Sequence, residues 1–436
     1  MTPVRRDLFE LLRLAGPVIA TRLGVMAMGL SDTVVVGRYS TVELGYMALG
    51  WAVTAVVLTT GMGLLSGVQV MTARGHPAGA VLRRGLVYAL WVGLASSAAV
   101  YAFGPAFLRL TGIEPDLAAG AGRVLRIFCL SLPFSLLGVV LSSWLEALRR
   151  PVLAMAAMWF ANVVNLGLLL LLVPGGFGLP AFGALGAGWA TFGARLSLVL
   201  VAAALVAGLP QARALGVFTR PARDRAAEAE QRRIGYATGA AFFVETAAFS
   251  GMNIVAGWVG GLAVAGWAIT LNVTAIIFMA PLGLSTAAGV LVARAYGAGD
   301  HAGVARAGAL GFCVTVGLLV VVSAAVFAFA GPIAGLYTTD PALTALTAAA
   351  LVLGCLFFVA DGLQVVAAQM LRACADVWLP TWVQIASYAV VMLPLGYVLA
   401  VPVGWGLSGI LWAVIVASFM SAGLLVARFT SLTRTS

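Results

Sequence analysis

Leu351-Val-Leu-Gly-Cys-Leu-Phe-Phe-Val-Ala-Asp361-Gly-Leu-Gln-Val-Val-Ala-Ala-Gln-Met-Leu371 is apolar over a length that crosses a bilayer, yet it carries a carboxylate at its middle. An ionised carboxylate at that depth costs about 2.5–3.5 kcal/mol on insertion scales, so it persists where it binds, pairs or exchanges something. Two other apolar runs repeat the pattern, around Asp32 and around Glu245.

Composition extends this reading to the whole chain. Hydrophobic residues make up 62% and charged residues 9% of the 436 residues, with a mean hydropathy of +1.07. A soluble globule would be about one quarter charged, so the chain is an all-α polytopic membrane protein. Cys129, Cys313, Cys355 and Cys374 lie in or beside apolar segments without metal-ligand spacing and read as small core residues. All 25 basic residues are arginine. The net charge of +10 comes from short arginine clusters between apolar runs, not from a basic domain, which argues against a nucleic-acid partner. Arg5-Arg6 is followed at once by Asp7 and Glu10, so the N-terminus is expected to be retained.

Apolar runs of about twenty residues or more predict twelve transmembrane helices, near 12–36, 45–73, 84–103, 124–147, 153–174, 183–208, 234–257, 263–293, 305–330, 345–371, 379–401 and 404–428. With a cytoplasmic N-terminus, eighteen arginines fall in cytoplasmic segments, four fall outside (Arg38, Arg109, Arg123, Arg126) and three lie within helices. That bias places both termini in the cytoplasm. The segment 209–233, with six arginines, reads as a cytoplasmic linker between an N-terminal six-helix lobe (1–208) and a C-terminal one (234–436). The halves repeat each other: Ala73-Arg74 is echoed by Ala293-Arg294, Leu145 to Ala147 by Leu371 to Ala373, and Trp189-Ala190 by Trp412-Ala413. Six helices per half is an even number, so the lobes should be related by a pseudo-two-fold along the membrane normal, with substrate expected between them.

Helix rise places Glu245, counted from Arg233, and Asp361, counted from Arg372, roughly 16–18 Å from the cytoplasmic boundary, so they share a depth. Gln364, one turn from Asp361, faces the same way and offers a donor and an acceptor. Two carboxylates in one low-dielectric cavity perturb each other's titration, which suits proton capture or sodium binding. Asp32 lies nearer the outer boundary and belongs to a second site, for which Asn162, Asn165 and Thr191 are candidate partners. Pro17 removes a backbone donor and should bend the first helix, giving it a hinge or a static kink. Arg22 and Arg195 could each pair with a carboxylate, but Arg22 and Asp32 are almost three turns apart, which favours snorkelling or bonding to carbonyls. Tyr46, Trp51, Phe242, Phe243, Trp267 and Phe278 are candidates for a cation–π cavity or for plain packing.

Catalytic patterns are poor. Gly297-Ala-Gly-Asp300 fits a short motif of intramembrane aspartyl proteases, but it falls in a predicted loop beside His301. His76 and His301 are too isolated for a metal site. The chain has no lysine and no nucleotide loop, so direct ATP drive is not expected, nor is any cofactor.

Leu30-Ser-Asp-Thr-Val-Val-Val-Gly37 after Pro17, Phe242-Phe-Val-Glu-Thr246, Val292-Ala-Arg-Ala-Tyr-Gly-Ala-Gly-Asp300, and Asp361-Gly-Leu-Gln-Val-Val366 with Leu371-Arg372 resemble the multidrug and toxic compound extrusion (MATE) transporters. The resemblance runs from about residue 10 to 425, and the acidic residues at Glu245 and Asp361 are similar to the NorM-like bacterial branch. It implies a monomeric antiporter in the bacterial inner membrane, surrounded by lipid, that expels amphipathic, often cationic compounds in exchange for protons or sodium. Glu245, Asp361 and Gln364 would form the coupling-cation site of the C-terminal lobe, with any sodium held at the two carboxylates. Asp32, Asn165 and Thr191 would form the N-terminal lobe site. Two departures matter: Leu169 stands where a second Asn or Asp is expected, and Phe357 where an aromatic hydroxyl is often found. Both remove oxygen ligands, which favours protons over tight sodium coordination. A flippase for a lipid-linked or polyisoprenyl substrate and an intramembrane hydrolase are the competing functions.

Overall fold

The computed structural model describes residues 3–110, 115–176, 178–219 and 224–435. Among them the secondary structure is helical apart from one isolated pairing of Gly176 with Leu179. The first half contains α1 (Pro3–Tyr39), α2 (Thr41–Leu64), α3 (Gly67–Ala73), α4 (Ala78–Leu110), α5 (Pro115–Leu130), α6 (Leu132–Ala147), α7 (Pro151–Leu172) and α8 (Ala184–Ala207). The second contains α9 (Arg225–Val259), α10 (Gly261–Gly297), α11 (His301–Gly335), α12 (Pro341–Ala373), α13 (Trp378–Gln384), a π-helical segment (Ile385–Met392), α14 (Leu393–Ala400) and α15 (Gly406–Thr435). Among the described residues eleven helical spans are long and apolar enough to cross a bilayer, α2 with α3 and α13 with the π segment and α14 each counting as one, and the bent pair α5 and α6 supplies a twelfth.

Most predicted spans appear with longer ends, because polar caps continue the helices past the apolar runs. The predicted span at 124–147 is not one rod. It breaks at Ser131 with a bend of 41°, where Pro133 in the first turn of α6 lacks the N–H that would continue the ladder. The linker is also shorter than 209–233, since α9 already begins at Arg225. Arg220 and Arg223, counted as cytoplasmic, lie outside the described residues.

The chain separates into two compact units, one of residues 20–239 and one of residues 1–19 with 240–436. The divisions fall inside α1 and α9 and not in the linker. Ion pairs hold the starts of these helices. In the second unit Glu10 meets Arg294 at 2.9 Å and Asp7 meets Arg306 at 2.6 Å. In the first, Glu230 meets Arg74 at 2.8 Å. Glu10 and Arg294 are each displaced by 220 residues from Glu230 and Arg74, so the repeat legible in sequence is also a repeat of contacts. Backbone contacts follow the same offset: a Cβ on Gly63 would lie 2.6 Å from the Gly239 Cα, and one on Gly283 would lie 2.9 Å from the Ile19 Cα. Only glycine permits these approaches.

Within the first unit α7 packs on α8, and α4 packs on α5 and α6. Val36, Phe128, Leu169 and Val173 form one of its apolar clusters. Within the second unit α12 is central, packed against α10, α11 and α15. Phe357 and Phe358 stack edge to face there, with ring centroids 5.1 Å apart.

Candidate functional site

In the second unit, α9, α12 and the π-helical span bring six polar side chains together. Gln364 Nε2 donates to Glu245 Oε1 at 3.4 Å. The Gln364 carbonyl accepts from Gln384 Nε2 at 3.1 Å, and the Gln384 carbonyl accepts from Arg372 Nη2 at 3.2 Å. On the other side Tyr388 donates its hydroxyl to Asp361 Oδ1 at 3.3 Å. Asp361, Gln364, Arg372, Gln384 and Tyr388 are all buried, and Glu245 is partly so. The two carboxylates interact electrostatically, as do Glu245 and Arg372.

Local geometry explains the assembly. Asp361, Gln364 and Arg372 follow one face of α12 at spacings of three and eight residues, close to whole helical turns. Gln384 and Tyr388 sit at and inside the wider π turn, a backbone form that recurs at functional sites because it re-aims side chains.

In the first unit Asn165 Nδ2 donates to Asp32 Oδ1 at 2.7 Å, and the Thr191 hydroxyl lies 3.2 Å from Asp32 Oδ2. The hydroxyl also reaches the Ala187 carbonyl at 3.0 Å, so its single proton is shared between two acceptors. Asp32, Asn165 and Thr191 are buried. Arg195, one turn beyond Thr191 on α8, interacts electrostatically with Asp32. It donates to Ser131 Oγ at 2.6 Å, at the bend between α5 and α6, and lies 5.5 Å over the Trp51 ring.

The predicted site residues thus fall into two clusters: Glu245, Asp361 and Gln364 in one, Asp32, Asn165 and Thr191 in the other. Asn162 is turned away, bonded to the Met158 carbonyl of its own helix. Pro17 lies within an unbroken α1, two residues before the division between the units.

Several expectations are corrected. Arg195 does not snorkel; it is buried and engaged as above. Arg22 is not carbonyl-bound but forms an ion pair with Glu146 at 3.2 Å. Glu146 was hidden from sequence reading by its nearness to Arg149 and Arg150, yet it is 2% exposed. Arg372, counted at the cytoplasmic boundary, is 1% exposed and belongs to the polar cluster. The hydroxyl that Phe357 lacks comes from Tyr388 on another helix. Trp267 takes the packing alternative offered for it, 1% exposed in the core. Asp300 caps α11, accepting from the Gly303 N–H at 2.8 Å, which accounts for it without proteolytic chemistry. No group of three or more potential metal ligands occurs among the described residues.

Up to twelve spans among the described residues, with carboxylates held in polar networks inside them, are a build that membrane transporters share. The MatE family model matches residues 17–171 and 237–398. A relative from Caulobacter vibrioides, described as a probable multidrug resistance protein NorM, is 54% identical over 99% of this chain and 93% of its own length. The multidrug resistance protein PmpM of Pseudomonas aeruginosa is 31% identical over 90% of this chain and 84% of its own. Among solved structures, the eukaryotic MATE transporter AtDTX14 shares the fold with a TM-score of 0.90 at 19% identity, covering 99% of this chain and 98% of that one. An outward-facing multidrug resistance MATE family transporter gives 0.89 at 18% identity, covering 100% and 98%. The chain belongs to the MatE family of transporters.

Proposed function

We propose that this chain is a proton-driven antiporter that expels amphipathic, cationic organic compounds across the bacterial inner membrane. The convergence of Glu245 and Asp361 inside apolar helices, held by the neutral donors Gln364 and Tyr388, carries the reading. A proton needs only one carboxyl oxygen, whereas a dehydrated sodium ion needs several oxygen ligands. Leu169 lies in an apolar cluster and Phe357 packs on Phe358, so neither turn offers an oxygen. The multidrug resistance descriptions of the relatives support the substrate class.

Alternating access requires that the coupling ion bind the two states with different free energy, since a ligand of equal affinity shifts nothing. A pair of interacting carboxylates in a changing polar environment supplies such a difference. Asp32, Asn165 and Thr191 act as the second site in the other unit. Pro17 serves as the hinge of α1. Both termini are cytoplasmic, by the arginine bias, and the working unit is a monomer surrounded by lipid.

The test is efflux of a fluorescent organic cation from proteoliposomes under separately imposed gradients. A pH gradient in sodium-free buffer should drive transport. Transport only under a sodium gradient would refute proton drive.

A further inference from the structure

Arg372, Gln384, Gln364 and Glu245 form a hydrogen-bonded relay from a cation to a carboxylate. A guanidinium only donates, so Gln384 must turn its carbonyl toward Arg372. An ionised carboxylate only accepts, so Gln364 must turn its amide N–H toward Glu245. The two ends impose the same orientation on both amides. Turning the amides over would set N–H against N–H at Arg372 and carbonyl against carboxylate at Glu245.

This orientation bears on which ion the carboxylate accepts. A sodium ion on Glu245 Oε1 would face the Gln364 N–H where it needs an oxygen. A protonated Glu245 keeps one oxygen accepting from that N–H, so the relay survives proton binding unchanged. Even when Glu245 is neutral, Arg372 keeps Gln364 from presenting its carbonyl. Other charged or titratable groups nearby are Asp361 on α12, which also accepts from Gln364, Tyr388 on the π segment and Arg372 itself; Tyr388 points its own hydrogen at Asp361 and offers it a donor.

We infer that Arg372, acting through Gln384, is a specificity-determining positioning residue that holds Gln364 as a donor and so sets the Glu245 site for protons against sodium. This rests on the reading of Glu245 and Asp361 as the coupling-ion site. Arg372 reaches the amide of Gln364 through two hydrogen bonds, by way of Gln384, and its proposed action is on the rotamer of that amide.

Three variants of the full chain test it. Arg372→Lys keeps a donor-only cation and should keep the wild-type selectivity. Arg372→Met releases the cationic end of the relay, so that a sodium ion on Glu245 can turn Gln364 over. Gln384→Glu places an acceptor-only group at the middle of the relay, still paired with Arg372, and so demands the Gln364 N–H and turns its carbonyl toward Glu245. Thermal unfolding of purified protein in sodium against choline reads ion binding without transport, and proteoliposome efflux under a sodium gradient reads coupling. Wild type and Arg372→Lys should unfold at the same temperature in both salts. Gln384→Glu and Arg372→Met should gain a saturable sodium stabilisation, half-effective at a concentration about tenfold or more below the highest at which the wild type still shows none, as exchange of a donor for an acceptor ligand implies.

Sodium stabilisation of the wild type, or its appearance in Arg372→Lys, overturns the inference with no need of the other variants. So does a folded Gln384→Glu or Arg372→Met protein that remains blind to sodium. Should Arg372→Met fail to fold, Gln384→Glu decides. Failure of the site reading looks different: Glu245→Gln would retain full pH-driven efflux, whatever the Arg372 variants did.

Discussion

The Arg22–Glu146 pair offers a measurable consequence, because both charges are held away from water and separated in sequence by 124 residues. The side chain of Glu146 is 1% exposed and that of Arg22 14%, with 3.2 Å between Nη2 and Oε2. Among the described residues Glu146 Oε1 and Arg22 Nε have no hydrogen-bond partner, so the pair is incompletely satisfied. Removing one member of a buried pair strands the other and costs about 3–5 kcal/mol, whereas replacing both by apolar groups of similar volume is often neutral. Arg22→Met should therefore lower the unfolding temperature of the purified protein by about 6–20 °C, at roughly 2–4 °C per kcal/mol for a unit of this size. The double variant Arg22→Met with Glu146→Met should recover most of that loss. The assay is thermal unfolding in detergent at one scan rate, since membrane proteins commonly unfold irreversibly. A single Arg22→Met variant as stable as wild type, or a double variant no better than the single, would refute the buried-pair account.

Asp361→Asn and Glu245→Gln should each abolish gradient-driven efflux at wild-type expression, because neutralising a buried carboxylate does not weaken packing; near-normal efflux by both at equal protein levels would reject them as the coupling site. Gly63→Ala should destabilise the protein by about 1–3 kcal/mol, since the added carbon has only the backbone of Gly239 to displace, and an unchanged unfolding temperature would show that the helices separate at no cost. Orientation is checked in a cysteine-free background: Ala214→Cys should react with impermeant maleimide only in opened cells, whereas Asp116→Cys should react in intact cells with a permeabilised outer envelope. The reverse pattern would invert the topology.

Much of the architecture was legible because a bilayer forces it into the sequence: each span must hide its backbone in a helix and present about twenty apolar residues, which leaves long runs between polar breaks. The Asp32 cluster was legible for a related reason. Few groups can bond a buried aspartate, and Asn165 and Thr191 stand out in apolar helices. Other features left no local trace. Tyr388 reads like any aromatic in a membrane segment, and its role depends on a π turn that the run Ile385–Met392 does not announce. Arg372 stands at the end of an apolar run, where an arginine ordinarily marks the boundary, and only the fold shows it turned inward. Glu146 was masked in the same way by the arginines that follow it. The partners of these charges lie on other helices, so spacing within one segment carries no information about them.

The repeat itself held an unused signal. Aligning Leu145 to Ala147 with Leu371 to Ala373 sets Glu146 against Arg372, opposite charges at matching places in the two halves. Each faces its counter-charge on the first helix of its own half: Glu146 faces Arg22 on α1, and Arg372 acts on Glu245 on α9. The two arrangements differ in how the charges meet. In the first unit they touch, and a direct buried pair leaves the carboxylate committed to its arginine. In the second, Gln384 and Gln364 stand between them and link the arginine to Glu245 through hydrogen bonds. A committed pair fixes helices, while a spaced one leaves a carboxylate able to exchange an ion. The same repeat position thus carries a direct ion pair in one half and, in the other, a charge joined to its carboxylate through two amides.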